Sequence, residues 1–349
     1  MKDVSKVDKN FIVKTKIEKD DIKFFNPEEK PFELYGVVRE GEKLRRMPEH
    51  IAKTVSEGVY ALHANTAGGR IRFVTNSPYV AIFVKFGDVG KMPHFALTGS
   101  IGLDMYADNI HAGTFVPPFD IADSYESVRE LGDLREREIT INLPLYSEVK
   151  ELYIGLKNDA IIKSPSPYKN KKPVVFYGSS ITQGGCASRP GMTYQAILSR
   201  MLNIDYINLG FSGNAKAEDE IIDYIKNLEM SMFVMDYDHN APTVLHLLNT
   251  HEKMFKAVRE KNPDLPIILM PRPTYLLNEM EKERLEIVRT TYNNALASGD
   301  KNVYLVSNEE LTALCLNDGK VDNNHPTDLG FLSMAQGVYN VIKDIDIDK

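Results

Sequence analysis

The sequence is poor in cysteine and lacks any long apolar run. Its 349 residues include two cysteines, Cys186 and Cys315. No stretch approaches the roughly 20 consecutive apolar residues of a membrane-spanning helix, and the charged N-terminal segment lacks the apolar part of a signal peptide. So few thiols in a long chain are typical of a reducing compartment rather than of a disulfide framework. We therefore expect a cytoplasmic protein without a membrane partner.

An excess of positive charge is also absent. The formal net charge is -7, and acidic and basic residues alternate along most of the chain. Proteins that bind nucleic acids concentrate basic residues in a patch or stripe, so we expect no nucleic-acid partner. Cysteine and histidine lack the paired spacing of a closed zinc site, so we expect neither a metal nor another cofactor. The sequence leaves the oligomeric state open, and a homo-oligomer is compatible with it.

The composition indicates two globular domains joined by a linker. Hydrophobic residues make up 43% of the chain and charged residues 26%, as in soluble globular proteins, and the length fits two domains. The segment from Lys163 to Pro173 contains three prolines and four lysines, a composition that favours a linker. We therefore predict a first domain over residues 1–163, a linker over 164–173 and a second domain over 174–349.

The first half has the pattern of β-structure. Short segments rich in β-branched and aromatic residues, or alternating with period two, are separated by glycine and proline. They are Val80–Phe86, Glu138–Leu143 and Glu151–Leu156. Several short strands without convincing long helices favour a β-sandwich, jelly-roll-like in arrangement.

The second half alternates buried strands with helices. Continuous apolar runs occur at Val174–Tyr177, Tyr206–Leu209, Met232–Met235, Ile267–Met270 and Val303–Val306. Helical stretches separate or follow them, at Ala217–Leu228, Val244–Lys261, Asn278–Ala297 and Thr327–Ile345. This alternation predicts an α/β domain with a parallel sheet covered on both faces. In such sheets ligands bind beyond the carboxyl ends of the strands.

Polar, glycine-rich turns follow the first three of these strands. The first turn, Gly178–Gly185, would let the Ser180 hydroxyl project while backbone N–H groups stay free for an oxyanion. A phosphate-binding loop is the rival interpretation, but the lysine of the Walker pattern is missing. Cys186, just beyond the turn, has no predicted base and is interpreted as a small packed residue. The other two turns are Asn208–Asn214 and Asp236–Pro242.

The spacing Asp-x-x-His occurs twice. Asp236 precedes His239 after the third strand, and Asp322 precedes His325 just before the last predicted helix. The spacing alone does not separate the two pairs. The second pair gains weight from its position and from the turns that accompany it.

The ordered set of motifs resembles the SGNH (GDSL) hydrolases. These motifs are Gly-x-Ser-Ile-Thr, Asn-x-Gly-x-x-Gly, an asparagine after the third strand and a late Asp-x-x-His-Pro. The resemblance implies a flavodoxin-like α/β/α domain in which Ser180 is the nucleophile, His325 the base and Asp322 its orienting acid. It also implies an oxyanion hole formed by Ser180, Gly213 and Asn240. No metal is required for this chemistry.

Two positions depart from the family pattern. Ser179 stands where the family has an aspartate before the nucleophile, which removes a carboxylate that helps to fix the turn. The usual Gly-x-Asn-Asp reads Asp-His-Asn-Ala over residues 238–241, so the match of Asn240 depends on its place after the strand.

The first half carries a related motif. The segment Gly102–Tyr106 resembles the Gly-x-Asp-Leu-Tyr signature of an N-terminal domain that precedes some SGNH hydrolases. As a group, the nearby rings predict one wall of the substrate crevice, although any single ring is better explained as part of the sandwich core. They are His94, Phe95, Tyr106, His111, Phe115 and Phe119. Three residues are predicted substrate contacts: Tyr106, His239 and Arg272. A solvated or capping histidine is the rival interpretation for His239, and a surface ion pair is the rival for Arg272.

The function these motifs favour is hydrolysis of a carboxylic ester through an acyl-serine intermediate. Two-domain relatives with a β-module often deacylate carbohydrates, so an O-acetylated sugar is the first expected substrate. Two alternatives stay open. An acyltransferase would use the same acyl-enzyme with an acceptor hydroxyl in place of water, and an inactive carbohydrate-binding protein would keep the fold alone.

Overall fold

Antiparallel sheets form most of the first half in the computed structural model, which describes residues 4–9, 12–14 and 16–347. The strands of this half, in chain order, are β1 (Ile22–Phe25), β2 (Glu33–Tyr35), β3 (Val38–Glu40), β4 (Lys43–Arg45), β5 (Arg70–Thr75), β6 (Tyr79–Val89), β7 (Leu103–Ala107), β8 (Ile110–Phe115), β9 (Ser124–Glu130), β10 (Arg137–Asn142), β11 (Ser147–Lys157) and β12 (Ile162–Lys163). One sheet has the order β1-β11-β6-β9. The other has the order β12-β5-β10-β7-β8, with β2 also paired to β5, and β3 pairs with β4.

The predicted strands of this half are confirmed in position. Val80–Phe86 lies within β6, Glu138–Leu143 overlaps β10, and Glu151–Leu156 lies within β11. Alternating residues such as Ile139 and Ile141 are fully buried in an apolar core that draws side chains from both sheets. The period-two pattern of the sequence therefore corresponds to one face packed on this core.

Short helices interrupt the strands of the first half. They are α1 (Glu49–Val55), α2 (Glu57–Leu62) and α3 (Leu97–Ser100). Ala52, Val55 and Val59 are buried in the same apolar cluster as Val175 and Phe233 of the second half. The two halves therefore share part of a core, and α1 and α2 cover apolar surface of the second half.

The second half contains a parallel sheet with the strand order β14-β13-β15-β16-β17. Its strands are β13 (Val174–Gly178), β14 (Tyr206–Gly210), β15 (Met232–Asp236), β16 (Ile267–Leu269) and β17 (Val303–Leu305). The helices are α4 (Ser180–Gln183), α5 (Tyr194–Leu202), α6 (Asp219–Lys226), α7 (Val244–Lys261), α8 (Glu279–Ala297), α9 (Asn308–Leu311) and α10 (Asp328–Ile342). Every residue of β13 and β15 is buried, which explains why these strands are continuous apolar runs.

The helix ends follow local capping chemistry. Asn278 and Glu281 form a capping box at the start of α8, which agrees with the helix predicted over residues 278–297. Helix α6 begins later than predicted because Ala217 has a φ of 53° and its N–H donates to the Tyr177 hydroxyl.

No helix in the described part of the chain is long and apolar enough to cross a membrane.

Two buried arginines join the halves. The Arg46 guanidinium donates to the carbonyls of Asn208 at 3.1 Å and Gly210 at 2.6 Å, at the carboxyl end of β14. Arg70 pairs with Asp205 and lies 3.9 Å from the centre of the Tyr206 ring. These contacts tie the first half to the edge of the parallel sheet.

The predicted linker is also held in place. The side chain of Asn170 is buried, and its Nδ2 donates to the Asp205 carbonyl at 2.9 Å. The Tyr168 ring lies 4.1 Å from the guanidinium carbon of Arg72. Residues 164–173 therefore pack along the junction between the halves.

Candidate active site

The polar turns meet because the strands that precede them end together. Strand β13 lies between β14 and β15, and Gly178 is in register with Gly210 on one side and with Asp236 on the other. The three polar turns that follow these strands therefore lie side by side at the carboxyl ends of the strands, where ligands bind in parallel sheets.

Ser180 is the first residue of α4, directly after strand β13. The hydroxyl of Ser179 caps this helix by accepting a hydrogen bond from the Ile181 N–H at 3.1 Å. A Cβ at Gly178 would lie 2.1 Å from both the Asp236 carbonyl oxygen and the Thr182 hydroxyl. The tight turn therefore needs glycine at 178, and the Ser179 hydroxyl supplies a cap where the family pattern has a carboxylate.

The backbone of Ser180 is fixed by several donors to its carbonyl oxygen. The N–H groups of Gly184 and Gly185 donate to it at 3.1 and 2.7 Å, and the Tyr146 hydroxyl donates at 3.3 Å. Gly184 has a φ of 105°, which lets the short helix end in the left-handed conformation that favours glycine. A tyrosine of the first half therefore helps to position the candidate nucleophile.

His325 connects Ser180 to Asp322. Its Nε2 lies 3.0 Å from the Ser180 Oγ, and its Nδ1 lies 2.9 Å from the Asp322 Oδ2. Burial opposes ionisation of Asp322, but hydrogen bonds from the His325 ring and from the N–H groups of His325 and Asn324 outweigh it and lower its pKa to about 2. A carboxylate in this position fixes the tautomer of the imidazole that has Nδ1 protonated and Nε2 free to accept the serine proton.

The other Asp-x-x-His pair is built differently. The Asp236 Oδ2 accepts hydrogen bonds from the Thr182 hydroxyl at 2.8 Å and the Tyr194 hydroxyl at 3.0 Å. Complete burial raises the pKa of Asp236 to about 7, despite these two bonds. The His239 Nε2 has no hydrogen-bond partner within the described residues, and burial together with Arg272 lowers the pKa of His239 to about 3. Asp236 therefore supports the nucleophile turn from behind and does not orient a base.

The candidate oxyanion donors have suitable free N–H groups. The Ser212 N–H donates to the Gln183 Oε1 at 3.0 Å and the Asn214 N–H to the Phe211 carbonyl at 2.8 Å. Between them, the N–H of the exposed Gly213 has no partner in residues 4–9, 12–14 and 16–347. The Asn240 Oδ1 accepts the Ala215 N–H at 3.3 Å, which leaves the Asn240 amino group to donate.

Arg272 is a predicted substrate contact, but its guanidinium binds two carboxylates of the protein instead. Its Nε donates to the Asp238 Oδ2 at 3.2 Å, and its Nη1 donates to the Glu281 Oε1 at 3.1 Å. Arg284 donates to the same Asp238 from the other side, at 2.6 Å. The guanidinium of Arg272 is thus engaged in ion pairs, but these pairs are largely buried and do not lie on the surface as the rival interpretation has it.

Tyr106 is also not positioned as a substrate contact. It is 4% exposed, and its hydroxyl accepts a hydrogen bond from the Arg189 Nη1 at 2.6 Å. The Arg200 guanidinium carbon lies 4.1 Å from the centre of its ring. Tyr106 therefore packs in the junction between the halves, against the segment that follows the nucleophile turn.

The predicted aromatic wall is wrong for most of its members. Phe115 is fully buried in the core of the first half, Phe95 packs edge-on against Tyr146, and Phe119 is 85% exposed. The His111 ring packs edge-on against Tyr106. One member does reach the site: the centre of the His94 ring lies 5.7 Å from that of His325, and the His94 Nε2 lies 3.8 Å from the Asp322 Oδ2.

Cys186 lies beside the same histidines. Burial raises the pKa of its thiol to about 12, and the nearby Asp322 carboxylate adds to this effect, so the thiol is protonated and not a nucleophile. Its sulfur and one ring nitrogen each of His94 and His325 lie within 4.8 Å of one another. These three residues come from distant parts of the sequence, and no spacing signal connects them.

The comparisons with known proteins identify the family of the chain. Residues 171–343 match the GDSL-like lipase/acylhydrolase family, and residues 22–162 match the GxDLY N-terminus of SGNH-hydrolase-type esterases. A crystal structure of a GDSL-like lipase from Bacteroides ovatus ATCC 8483 is 32% identical over 91% of this chain and 96% of that chain, with a TM-score of 0.81. The chain therefore belongs to the GDSL-like, or SGNH, hydrolase family.

More distant solved structures share the fold. The salicylyl-acyltransferase SsfX3 of a tetracycline biosynthetic pathway is 19% identical over 93% of this chain and 98% of its own, with a TM-score of 0.74. The acetyl xylan esterase Est2A from Butyrivibrio proteoclasticus is 13% identical over 91% of this chain and 97% of its own, with a TM-score of 0.57. A search of curated proteins gave no match.

Proposed function

We propose that this hydrolase cleaves a carboxylic ester through an acyl-serine intermediate formed on Ser180. The observation that carries the proposal is the continuous hydrogen-bonded chain from the Ser180 Oγ through His325 to Asp322, with links of 3.0 and 2.9 Å. The strand order of the parallel sheet supports a flavodoxin-like domain, and the two antiparallel sheets around a common core support a β-sandwich.

In the first half-reaction the Ser180 oxygen attacks the ester carbonyl while His325 accepts the serine proton. The imidazolium that forms is stabilised by the Asp322 carboxylate, which stays ionised because its pKa is about 2. His325 then donates the proton to the departing alcohol. In the second half-reaction His325 activates water, which attacks the acyl-serine and releases the acid.

The negative charge on the carbonyl oxygen needs donors that are in place before the reaction. The Ser180 N–H at the start of α4, the Gly213 N–H and the Asn240 amino group are the proposed donors. Because the Asn240 oxygen is already held by the Ala215 N–H, little reorganisation is needed for its amino group to donate.

We propose an O-acetylated carbohydrate as the substrate class. The rim of the site is polar and partly exposed, with side-chain exposure of 41% for His94 and 38% for Asp322. Such a rim suits a hydroxyl-rich alcohol better than a long acyl chain, which would need an apolar channel. The carbohydrate esterases among the structural neighbours share the fold.

The exposure of the rim at His94 and Asp322 also favours hydrolysis over acyl transfer. An acyl-serine beside an open rim is accessible to water, whereas a transferase protects its intermediate until the acceptor binds. The alternative is tested by adding a sugar or a simple alcohol to the assay. Partition of most acyl groups to the acceptor at low acceptor concentration would identify a transferase.

The proposal is tested with purified full-length protein on p-nitrophenyl acetate and on a panel of acetylated mono- and oligosaccharides. Wild type should release acetate, and Ser180→Ala should not. Ser231→Ala is a matched control, because Ser231 is also buried in the second half but precedes strand β15, at the amino end of the strands and away from the site. Equal activity of wild type and Ser180→Ala would refute the proposal, and activity on aryl acetate alone would refute the substrate class.

A further inference from the structure

A cluster of metal-binding side chains lies at the junction between the halves, beside the proposed triad. His94 follows strand β6 of the first half, Cys186 follows the nucleophile turn, and His325 precedes α10. Their candidate ligand atoms, one per residue, lie within 4.8 Å of one another. Imidazole nitrogen and thiolate sulfur are the ligands that Zn²⁺ prefers, and three protein ligands with an open fourth position form a common zinc geometry.

The distances allow closure around an ion. Ligand bonds of about 2.0 Å to nitrogen and 2.3 Å to sulfur place tetrahedral ligand atoms about 3.3–3.5 Å apart. The cluster therefore has to contract by little more than one bond length. His94 can supply this movement, because 41% of its side chain is exposed.

The backbone conformation of Cys186 fixes the direction of its side chain. Cys186 has a φ of 72°, a left-handed conformation that is unusual for a residue with a Cβ. It directly follows Gly184 and Gly185, whose N–H groups hold the Ser180 carbonyl. The turn that fixes the nucleophile therefore also fixes the cysteine next to His325.

We propose that His94, Cys186 and His325 bind Zn²⁺ and that binding reversibly inhibits the hydrolase. The metal would displace the thiol proton, which leaves to solvent, and would occupy one ring nitrogen of His325. Either nitrogen is needed for the reaction, Nε2 to accept the Ser180 proton and Nδ1 to donate to Asp322. The inhibition rests on the proposed function, whereas the metal binding does not.

The site differs from a structural zinc site. His325 has to leave one of its present partners, so the affinity should be below that of a closed site with preformed ligands. The protein is therefore active without the metal and responds to changes in free zinc. Because one ligand comes from the first half and two from the second, the ion would also bridge the two halves.

Inhibition is measured with p-nitrophenyl acetate over a series of buffered Zn²⁺ concentrations, followed by addition of a chelator. Wild type should lose activity with increasing zinc and recover it with the chelator. His94→Ala and Cys186→Ser, each compared with its own zinc-free rate, should need at least about tenfold more zinc, since even outer-shell changes cost about 10- to 100-fold in metal affinity. His111→Ala and Cys315→Ser are matched controls and should behave as wild type.

Binding is measured separately with Co²⁺ as a spectroscopic probe on Ser180→Ala, which retains all three ligands and has no proposed activity. A thiolate-to-cobalt charge-transfer band should appear in this variant and disappear when Cys186→Ser is added. Circular dichroism checks that each variant is folded, and His94→Gln replaces His94→Ala if the latter is not.

The outcomes separate this proposal from the proposed function. A cobalt band without any esterase activity in wild type would support the site and refute the function. Esterase activity without a cobalt band, or zinc inhibition that is unchanged in both the His94 and Cys186 variants, would overturn the site.

Discussion

The carboxylate of Asp104, on strand β7 of the first half, accepts a hydrogen bond from the backbone N–H of Gly191 in the second half at 2.9 Å. The same oxygen accepts from the Arg189 Nη1 at 2.7 Å, and the other oxygen accepts from the Asn142 Nδ2 at 2.8 Å. Asp104 is the aspartate of the Gly-x-Asp-x-Tyr motif and is fully buried. The motif thus anchors the segment that follows the nucleophile turn.

Replacement of this aspartate should loosen the junction. Asp104→Ala leaves the Gly191 N–H without its partner and removes the carboxylate that pairs with Arg189, so we expect the free energy of unfolding to fall by about 3 kcal/mol. Urea denaturation measures the change. Asp108→Asn, on the exposed turn after β7, is the control and should be neutral. A loss below about 1 kcal/mol for Asp104→Ala would show that the anchor contributes no more than an ordinary hydrogen bond.

The two Asp-x-x-His pairs should respond differently to the same substitution. Asp322→Asn should lower kcat by about 10⁴-fold, because the amide favours the wrong imidazole tautomer. Asp236→Asn keeps a partner for Thr182 and Tyr194 and should change kcat much less. Steady-state kinetics of both variants decide this, and a larger loss in Asp236→Asn would reverse the assignment.

Asn240→Ala should lower kcat by roughly 10²-fold or more with little change in KM. An oxyanion donor strengthens its bond as charge develops, so its loss falls on the transition state. Kinetics on a single acetyl ester measure both constants. An unchanged kcat would show that Asn240 is not an oxyanion donor, and Asn214 would be the next candidate.

Asp236 should make the stability depend on pH. Its pKa is raised to about 7 in the folded protein, above the value of about 3.9 in an unfolded chain, so the folded state binds this proton more tightly. Its contribution to stability is complete below about pH 4 and is lost as the pH rises through about 7. Urea denaturation from pH 5 to 8 should therefore show a decline that is weaker in Asp236→Asn, and identical slopes would contradict the raised pKa.

The isolated second half is not a suitable test of how the first half contributes. The helices α1 and α2 bury Ala52, Val55 and Val59 in the core of the second half. A fragment that starts near residue 171 would expose this surface to water. The contribution of the first half is better tested by single substitutions at Tyr146 or His94 in the full chain.

The parallel sheet could be predicted because each of its strands is a distinct apolar run between helical stretches. The sequence places Ser180 after the first strand of this sheet and Asp322 and His325 just before the last helix, and the hydrogen bonds among the three side chains agree with this placement. Their catalytic roles stay a prediction. The capping role of Ser179 was missed, because the family pattern drew attention to the missing carboxylate, although serine is a preferred N-cap residue.

Other features could not be predicted because they depend on contacts between distant segments. Helices α1 and α2 are short, and their apolar residues face the other half of the chain rather than their own. Tyr106 and Arg272 looked available for a substrate, but Arg189 and Asp238 occupy their polar atoms. His94 approaches His325 only because the halves pack together, and no local pattern marks it.

The central claim is that Ser180 is the nucleophile and His325 its base. The most direct measurement is covalent labelling of the full-length protein by a fluorophosphonate, followed by peptide mapping. Ser180 should carry the label, and His325→Ala should slow its attachment by about 10³-fold or more while Ser231→Ala leaves the rate unchanged. A label on another residue, or labelling of Ser180 at the same rate without His325, would contradict the claim.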